Sequence, residues 1–123
     1  NYKRILLNKL NFSILSINNI VPQPSVYWRA EFFKDVGIFD EKLKYNMDYD
    51  LWLRMIKISK PKILNINLSY FRRHSESLSH KNTLKQFYEK FFTMRKYNNN
   101  ILIKFAHIFV TTVILFVYFL GNY

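Results

Sequence analysis

Two carboxylates that stand two residues apart, Asp48 and Asp50, are the side chains of this sequence best suited to acid–base chemistry. Their neighbours repeat apolar residues with the period of a helix, which predicts a helix that begins within residues 45–54 and continues to about Ser59. On that helix Asp50 lies four residues before Arg54, acid before base, which is the favourable order for a surface ion pair. Asp50 is therefore expected to be structural, and an exposed pair of this kind contributes roughly 0.3–0.5 kcal/mol to stability.

Asp48 lies on the apolar side of the same helix, where it points between Trp52 and Met55. A carboxylate in that position costs desolvation energy unless something pairs with it. Two interpretations remain open. Asp48 is either a helix cap, since the first turn favours negative charge, or an acid aimed into a site. Apolar neighbours would raise its pKa and the helix N-terminus would lower it, and the sequence does not decide between them.

Composition and charge restrict the classes of function. The 123 residues begin with Asn1 rather than Met, so we expect a piece of a longer product. The absence of cysteine excludes a disulfide framework and a Cys-based zinc site, and two glycines argue against a glycine-rich phosphate loop. The formal net charge is +11, although six of the eight acids lie between residues 31 and 50. A basic surface of this kind meets nucleic acid, anionic lipid or phosphorylated ligands, and the apolar C-terminal stretch favours lipid.

The elements before and after the central helix are predicted from the periodicity of apolar residues and from the positions of proline and glycine. A short basic amphipathic helix is expected within residues 2–17. Two prolines then hold the chain extended before a strand over Ser25–Trp28, and a helical turn over residues 29–36 ends at Gly37. Alternation of apolar and polar residues predicts a second strand over residues 62–72.

The C-terminal third is predicted to be helical. One helix is expected over Thr83–Tyr97, and twenty mostly apolar residues follow from Ile101 to Leu120. A helix of that length spans about 30 Å, the hydrocarbon thickness of a bilayer. The last helix either spans or lies on a membrane, or it is buried in the protein. The basic residues before it place that side in the cytoplasm by the positive-inside rule.

Three segments occur in series and carry a resemblance: NIVPQPSVYWR, FKDVGIFDEKLKYNMDYDLWLRM and YFRRHSESLS. Together they resemble the C-terminal half of a family 2 glycosyltransferase with the GT-A fold, over roughly residues 19–79. The resemblance implies an α/β, Rossmann-like fold. Residues 1–80 would be the acceptor-side half of the GT-A domain, residues 81–98 a connecting amphipathic helix, and residues 99–123 a membrane-associated or transmembrane helix. The fragment by itself is expected to be helix-dominated.

The same resemblance implies an inverting transfer from a nucleotide-sugar donor, with Mg²⁺ or Mn²⁺ as cofactor. Asp48 would be the base, in a motif usually written Glu-Asp that is Met47-Asp48 here. His74 occupies the place of a late metal ligand. The Asp-x-Asp metal motif and the nucleotide-binding strands are expected upstream of Asn1. The processive Gln-x-x-Arg-Trp signature is missing, which favours transfer of a single sugar.

The remaining candidates each keep a structural alternative. Arg72 and Arg73 would contact phosphate or would simply be solvated. Trp28 and Trp52 would stack on a sugar or pack in the core. Gln23 and Ser25 would shape the loop of the acceptor site or would have a purely structural role.

Three functions are therefore in competition. The first is an enzyme at the cytoplasmic face of the cell membrane that transfers sugar to a polysaccharide or lipid-linked acceptor, with no nucleic acid as partner. The second is a non-catalytic basic fragment that binds membrane lipid or nucleic acid. The third is a degenerate piece that neither binds nor reacts. The acid on an apolar helix face and the ordered segments favour the enzyme.

Overall fold

The computed structural model describes residues 7–70 and 82–120. We number the helices that lie wholly within these ranges from the N-terminus. They are α1 (Phe12–Ile17), α2 (Phe32–Val36), α3 (Met47–Ile58), α4 (Thr83–Tyr97) and α5 (Ile101–Leu120), with a 3₁₀ turn over Gln23–Ser25. α3 lies at the centre, in contact with α1, α2 and α4, and α5 packs on α1 and α4.

The helical predictions for the centre and the C-terminus are confirmed. α3, α4 and α5 occupy the ranges that periodicity indicated. α2 ends at Gly37, whose φ of 80° is a left-handed conformation that favours glycine. The Gly37 N–H donates to the Phe33 carbonyl at 2.8 Å, so the glycine closes the last turn of the helix.

The single helix predicted within residues 2–17 is wrong in the part that the structure describes. Asn11 interrupts it with extended backbone, at a φ of −146°. Its side-chain oxygen accepts the Ile14 N–H at 2.9 Å, so Asn11 is the N-cap of a new helix, α1. Asparagine is a preferred N-cap residue, and this local bond outweighs the continuous apolar pattern.

The two strands predicted for the α/β fold do not form among the described residues. Part of the first is the 3₁₀ turn, and residues 62–70 are irregular, with a bend at residues 65 and 66; residues 71 and 72 lie outside the description. Alternation describes only which faces are apolar, whereas a strand also needs a neighbour to accept its backbone hydrogen bonds. The structure is therefore helix-dominated, as expected for the fragment, and does not contain the expected sheet in this part of the chain.

The two segments that were predicted to be strands still meet at one point. The Ser25 and Ser69 hydroxyl oxygens are 2.5 Å apart and share a hydrogen bond. Beyond it the alternating apolar side chains face solvent, with Leu64 and Ile66 exposed by 50% and 63%. These residues add nothing to the core.

The core is built around α3, and five consecutive α3 residues are buried, from Tyr49 to Leu53. Five consecutive residues cover every side of a helix, so α3 is enclosed by its neighbours. The buried apolar side chains are Leu15, Val36, Tyr49, Leu51, Trp52, Leu53 and Met94.

One of the buried α3 residues is Asp50, which is 1% exposed. Arg54 Nε donates to its carboxylate at 2.9 Å, and Arg54 Nη2 lies 2.8 Å from the same oxygen as an ion pair. The Tyr97 hydroxyl donates to the other oxygen at 2.7 Å. Lys96 Nζ lies 3.4 Å away. The predicted partner of Asp50 is correct, but its predicted surface position is wrong, because the polar stripe of α3 faces the end of α4 rather than water.

Arg54 carries the network to a second loop. Its guanidinium donates to the Val36 carbonyl and, at 2.8 Å, to the Ile38 carbonyl, on either side of Gly37. The buried carboxylate thus fixes an arginine that closes the C-terminus of α2.

The C-terminal helix α5 has two environments along its faces. His107 is 1% exposed, and its Nδ1 lies 2.8 Å from the Ser16 carbonyl oxygen at the end of α1. The opposite face is apolar and exposed, including Leu102, Phe105 and Phe109. By length and composition, with a mean hydropathy of 2.1, this helix is able to cross a membrane. Membrane association stays a prediction.

The buried position of Asp50 gives a stability prediction. Asp50→Asn keeps the size of the side chain but leaves Arg54 without its charge partner, so we expect a loss of about 3 kcal/mol in the free energy of unfolding. Urea unfolding followed by circular dichroism measures it. Asp35→Asn, at an exposed carboxylate, is the matched control and should change little. A loss for Asp50→Asn that equals the control would refute the buried network.

Candidate functional site

The N-terminus of α3, which carries Asp48, is held by a carboxylate from α4. Glu89 accepts the backbone N–H groups of Lys44, Tyr45 and Asn46 at 3.0, 2.8 and 2.7 Å. Burial alone would raise the pKa of Glu89, but these hydrogen bonds hold that pKa below its usual value. The approach to the first turn of α3 is therefore fixed by a charged group that lies 43 residues from Asn46 in sequence. The Asn46 side-chain amide also donates to the Gln86 carbonyl at 2.9 Å.

Asp48 is half-buried in that first turn. Its Oδ1 accepts the Tyr49 N–H at 2.7 Å, which is the helix-end contact of the capping interpretation, although Asn46 occupies the N-cap position itself. Within the described ranges no side-chain donor and no cation is recorded on this carboxylate. Burial raises the pKa of Asp48 and outweighs the backbone hydrogen bond that lowers it. Of the two opposing effects on the pKa of Asp48 that the sequence left open, burial is therefore the larger.

The two acids of α3 therefore have opposite environments. Asp50 is neutralised by Arg54 and by the Tyr97 hydroxyl, and none of its oxygens is free for chemistry. Asp48 carries a carboxylate with spare acceptor capacity and a raised proton affinity. A group of this kind can take a proton from a neighbouring hydroxyl.

An open cleft of about 640 Å³ lies along the next part of α3. Asp48 is not one of its lining residues, but Trp52, one turn further along the same face of α3, is. The wall is mostly apolar, and all of its charged side chains are cationic. The aromatic and cationic lining residues that matter below are Tyr27, Trp28, Trp52, Arg29, Lys60 and Lys62.

Trp28 and Trp52 meet edge to face in this cleft, with ring centroids 5.6 Å apart. Trp28 also packs on Phe33 at 5.6 Å and on Phe39 at 6.5 Å, so both tryptophans belong to an aromatic cluster. Trp52 is 4% exposed, and its Nε1 has no hydrogen-bond partner among the described residues. Core packing accounts for the rings, but it leaves one buried N–H donor unused.

The other candidates from the sequence are not brought to this cleft. Gln23 and Ser25 lie in the 3₁₀ turn, and neither is a lining residue. Arg72, Arg73 and His74 lie outside the described residues. The part of the chain that the structure describes contains no group of three His, Asp or Glu side chains able to hold a metal ion.

Sequence reasoning missed Lys90, which is 6% exposed on the inner face of α4. Burial lowers its pKa to about 8, and its ammonium donates to the Asn18 side-chain oxygen at 2.5 Å. Nearby, Asn98 donates to the Ser16 hydroxyl at 3.1 Å. These groups, together with His107, form a buried polar cluster at the end of α1. A lysine in a helical pattern carries no local sign of burial, so its position could not be predicted from the sequence.

Comparisons with known proteins agree on one name. The chain is 36% identical over 76 residues to a protein of Rickettsia conorii named uncharacterized glycosyltransferase, and 34% identical over 76 residues to one of the same name from Rickettsia felis. A third, from Rickettsia bellii, is 32% identical over 75 residues. The matches cover 61%, 61% and 60% of this chain.

The chain spans only 13% of the length of the first two relatives and 11% of the third. No protein-family model matches it, and no solved structure does. The chain is thus similar to a short part of proteins named glycosyltransferases.

The raised pKa of Asp48 predicts an unusual effect on stability. The folded chain binds the proton of Asp48 more tightly than the unfolded chain, so stability falls as pH rises through the folded pKa. Asp48→Asn removes that penalty and should raise the urea midpoint at neutral pH. The gain should vanish in acid, below the pKa of an unfolded aspartate, because both states are then protonated.

Asp35→Asn, at an exposed carboxylate, serves as the matched control for this measurement. Equal urea midpoints for Asp48→Asn and the control across the pH range would show that Asp48 is not penalised by burial.

Proposed function

We propose that this chain is the acceptor-side part of an inverting glycosyltransferase. The enzyme transfers one sugar from a nucleotide-sugar donor to a saccharide or lipid-linked acceptor at the cytoplasmic face of a membrane. The observation that carries the proposal is the half-buried Asp48, with its raised pKa and no cation beside it in the described residues. The similarity to proteins named glycosyltransferases and the resemblance to the family 2 pattern support the same function.

The proposed reaction is a direct displacement at the anomeric carbon of the donor sugar. The acceptor oxygen forms a bond to that carbon, and the bond between the carbon and the phosphate oxygen breaks. The nucleoside diphosphate leaves with the electron pair, and the acceptor hydroxyl gives its proton to Asp48. A positioned general base contributes typically 10²–10⁴-fold, roughly, to such a step. The raised pKa makes Asp48 a stronger base than an exposed aspartate.

The cleft along α3 is the proposed acceptor site, and an acceptor bound there would extend past its lining toward the first turn of α3 to reach Asp48. Trp28, half-buried in the wall of the cleft, suits the apolar face of a sugar ring, and Trp52, which is 4% exposed, packs edge to face against Trp28 and fixes that ring. Gln23 and Ser25 would belong to the neighbouring acceptor loop. The cationic residues of the wall favour an acceptor that carries phosphate or carboxylate groups.

The donor side of the proposal rests on the resemblance. His74 is proposed as a metal ligand, and Arg72 and Arg73 as phosphate contacts. A divalent metal, when bound, would neutralise charge on the leaving diphosphate. The described residues do not build that site, since they contain no group of three metal-ligating side chains and the Asp50 carboxylate is occupied by Arg54.

A non-catalytic membrane-binding fragment is the second candidate. The exposed apolar face of α5 and the net charge of +11 favour it. It differs from the first candidate in one respect, since it assigns no chemistry to Asp48.

Turnover of the full-length protein tests the proposal. Asp48→Asn keeps the size and one acceptor oxygen of the side chain but removes the basic carboxylate. We expect kcat to fall by a factor on the order of 10²–10⁴ while donor binding changes little. The measurement is sugar transfer to acceptor, with donor affinity determined separately by calorimetry.

Asp35→Asn is the control here and should keep wild-type turnover. Asp50→Asn is informative as well, because its loss should be one of folded protein rather than of rate per folded molecule. Wild-type turnover in Asp48→Asn would remove the base from the proposal and leave the non-catalytic candidate.

A further inference from the structure

α4 has an outward face that the fold does not use. Leu84, Tyr88 and Phe92 recur every four residues on it and are 62%, 68% and 46% exposed. Side chains at that spacing form one continuous stripe along a helix. The inward face already supplies the core with Met94, which is fully buried. The outward stripe is thus a second apolar face on one helix.

Positive charge accompanies this stripe. Lys85 and Arg95 are both exposed, and the Arg95 guanidinium lies over the Phe92 ring at 5.9 Å. α4 contains a single acid, Glu89, and its carboxylate is occupied by the backbone N–H groups before α3. The aromatic–basic face, defined as Leu84, Lys85, Tyr88, Phe92 and Arg95, is therefore apolar and cationic.

The aromatic–basic face belongs to the same helical unit as the exposed apolar face of α5. Three residues, 98–100, join the two helices, and the Phe91 ring packs on the His107 ring at 5.8 Å. α5 is the one helix in the described ranges long and apolar enough to cross a membrane. A contact made by α5 with lipid would therefore bring α4 close to the headgroups.

We propose that the aromatic–basic face of α4 lies on the surface of an anionic phospholipid membrane. Tyrosine and phenylalanine suit the boundary between headgroups and acyl chains, and the charges of Lys85 and Arg95 would meet lipid phosphates. This proposal shares the membrane location of the proposed function and is independent of its chemistry.

The natural chain contains no cysteine, so a single fluorescent label can report on the face. Tyr88→Cys is labelled with an environment-sensitive fluorophore and mixed with phosphatidylcholine vesicles, with and without phosphatidylglycerol. Ile66→Cys, at a residue of similar exposure within residues 62–70, is the matched control. We expect a blue shift, and quenching by spin-labelled lipid, at position 88 with the anionic vesicles and not at position 66.

The charge of the face is tested by sedimentation with the same vesicles. Lys85→Gln combined with Arg95→Gln should weaken partitioning into anionic vesicles by roughly ten-fold or more at low salt. Lys34→Gln combined with Lys42→Gln removes the same charge from exposed sites elsewhere and should weaken it by no more than about two- to three-fold. Far-UV circular dichroism confirms that each variant keeps its helices.

Three results would overturn the proposal. One is an unchanged spectrum at position 88 when the chain is on vesicles, and another is an equal change at positions 66 and 88. The third is a dimer in solution that Tyr88→Ser returns to monomer, which would assign the face to a second copy of the chain. None of these outcomes depends on sugar transfer, so a failure here leaves the proposed function standing. A protein that binds vesicles through this face but does not transfer sugar would refute the proposed function and keep the membrane proposal.

Discussion

The burial of one carboxylate, Asp50, is the constraint on which the rest of the structure depends. A charge in the interior is tolerated only when it is paired and hydrogen-bonded, and Arg54 and Tyr97 meet that requirement at 2.8 and 2.7 Å. Because Arg54 also holds the carbonyl groups on either side of Gly37, and Tyr97 ends α4, the same charge joins α2, α3 and α4. The direction in which α3 presents its first turn follows from this arrangement.

The different environments of Asp48 and Asp50 on α3 follow from the burial of Asp50. With Asp50 fixed toward α4, Asp48 is turned toward the side of the helix that carries Trp52. Glu89 has already taken the backbone N–H groups that precede α3, and among the described residues the Asp48 carboxylate accepts only backbone N–H groups, those of Asp48 itself and of Tyr49. A carboxylate that is half-buried and poorly paired has a raised pKa and is therefore a stronger base, which is the property that a general base needs.

Local features of this fold were predictable from the sequence, and contacts between distant residues were not. The bounds of α3 to α5 and the glycine stop at Gly37 follow from periodicity and backbone preference within a few residues. The burial of Asp50 depends on Tyr97, which is 47 residues away. The sequence pattern alone places Asp50 on a polar stripe of α3 and therefore predicts a solvated side chain. The predicted strands failed for the same reason, since pairing is non-local. The pairing of Trp28 with Trp52 was not predicted either, although both residues were candidates.

The pH dependence of kcat/KM in the full-length protein tests the central claim, that Asp48 is a base whose proton affinity is raised by burial. The account predicts that kcat/KM falls in acid with an apparent pKa above that of an ordinary aspartate, and that this limb is absent from the residual activity of Asp48→Asn. The same limb in Asp48→Asn, at a rate close to wild type, would contradict it.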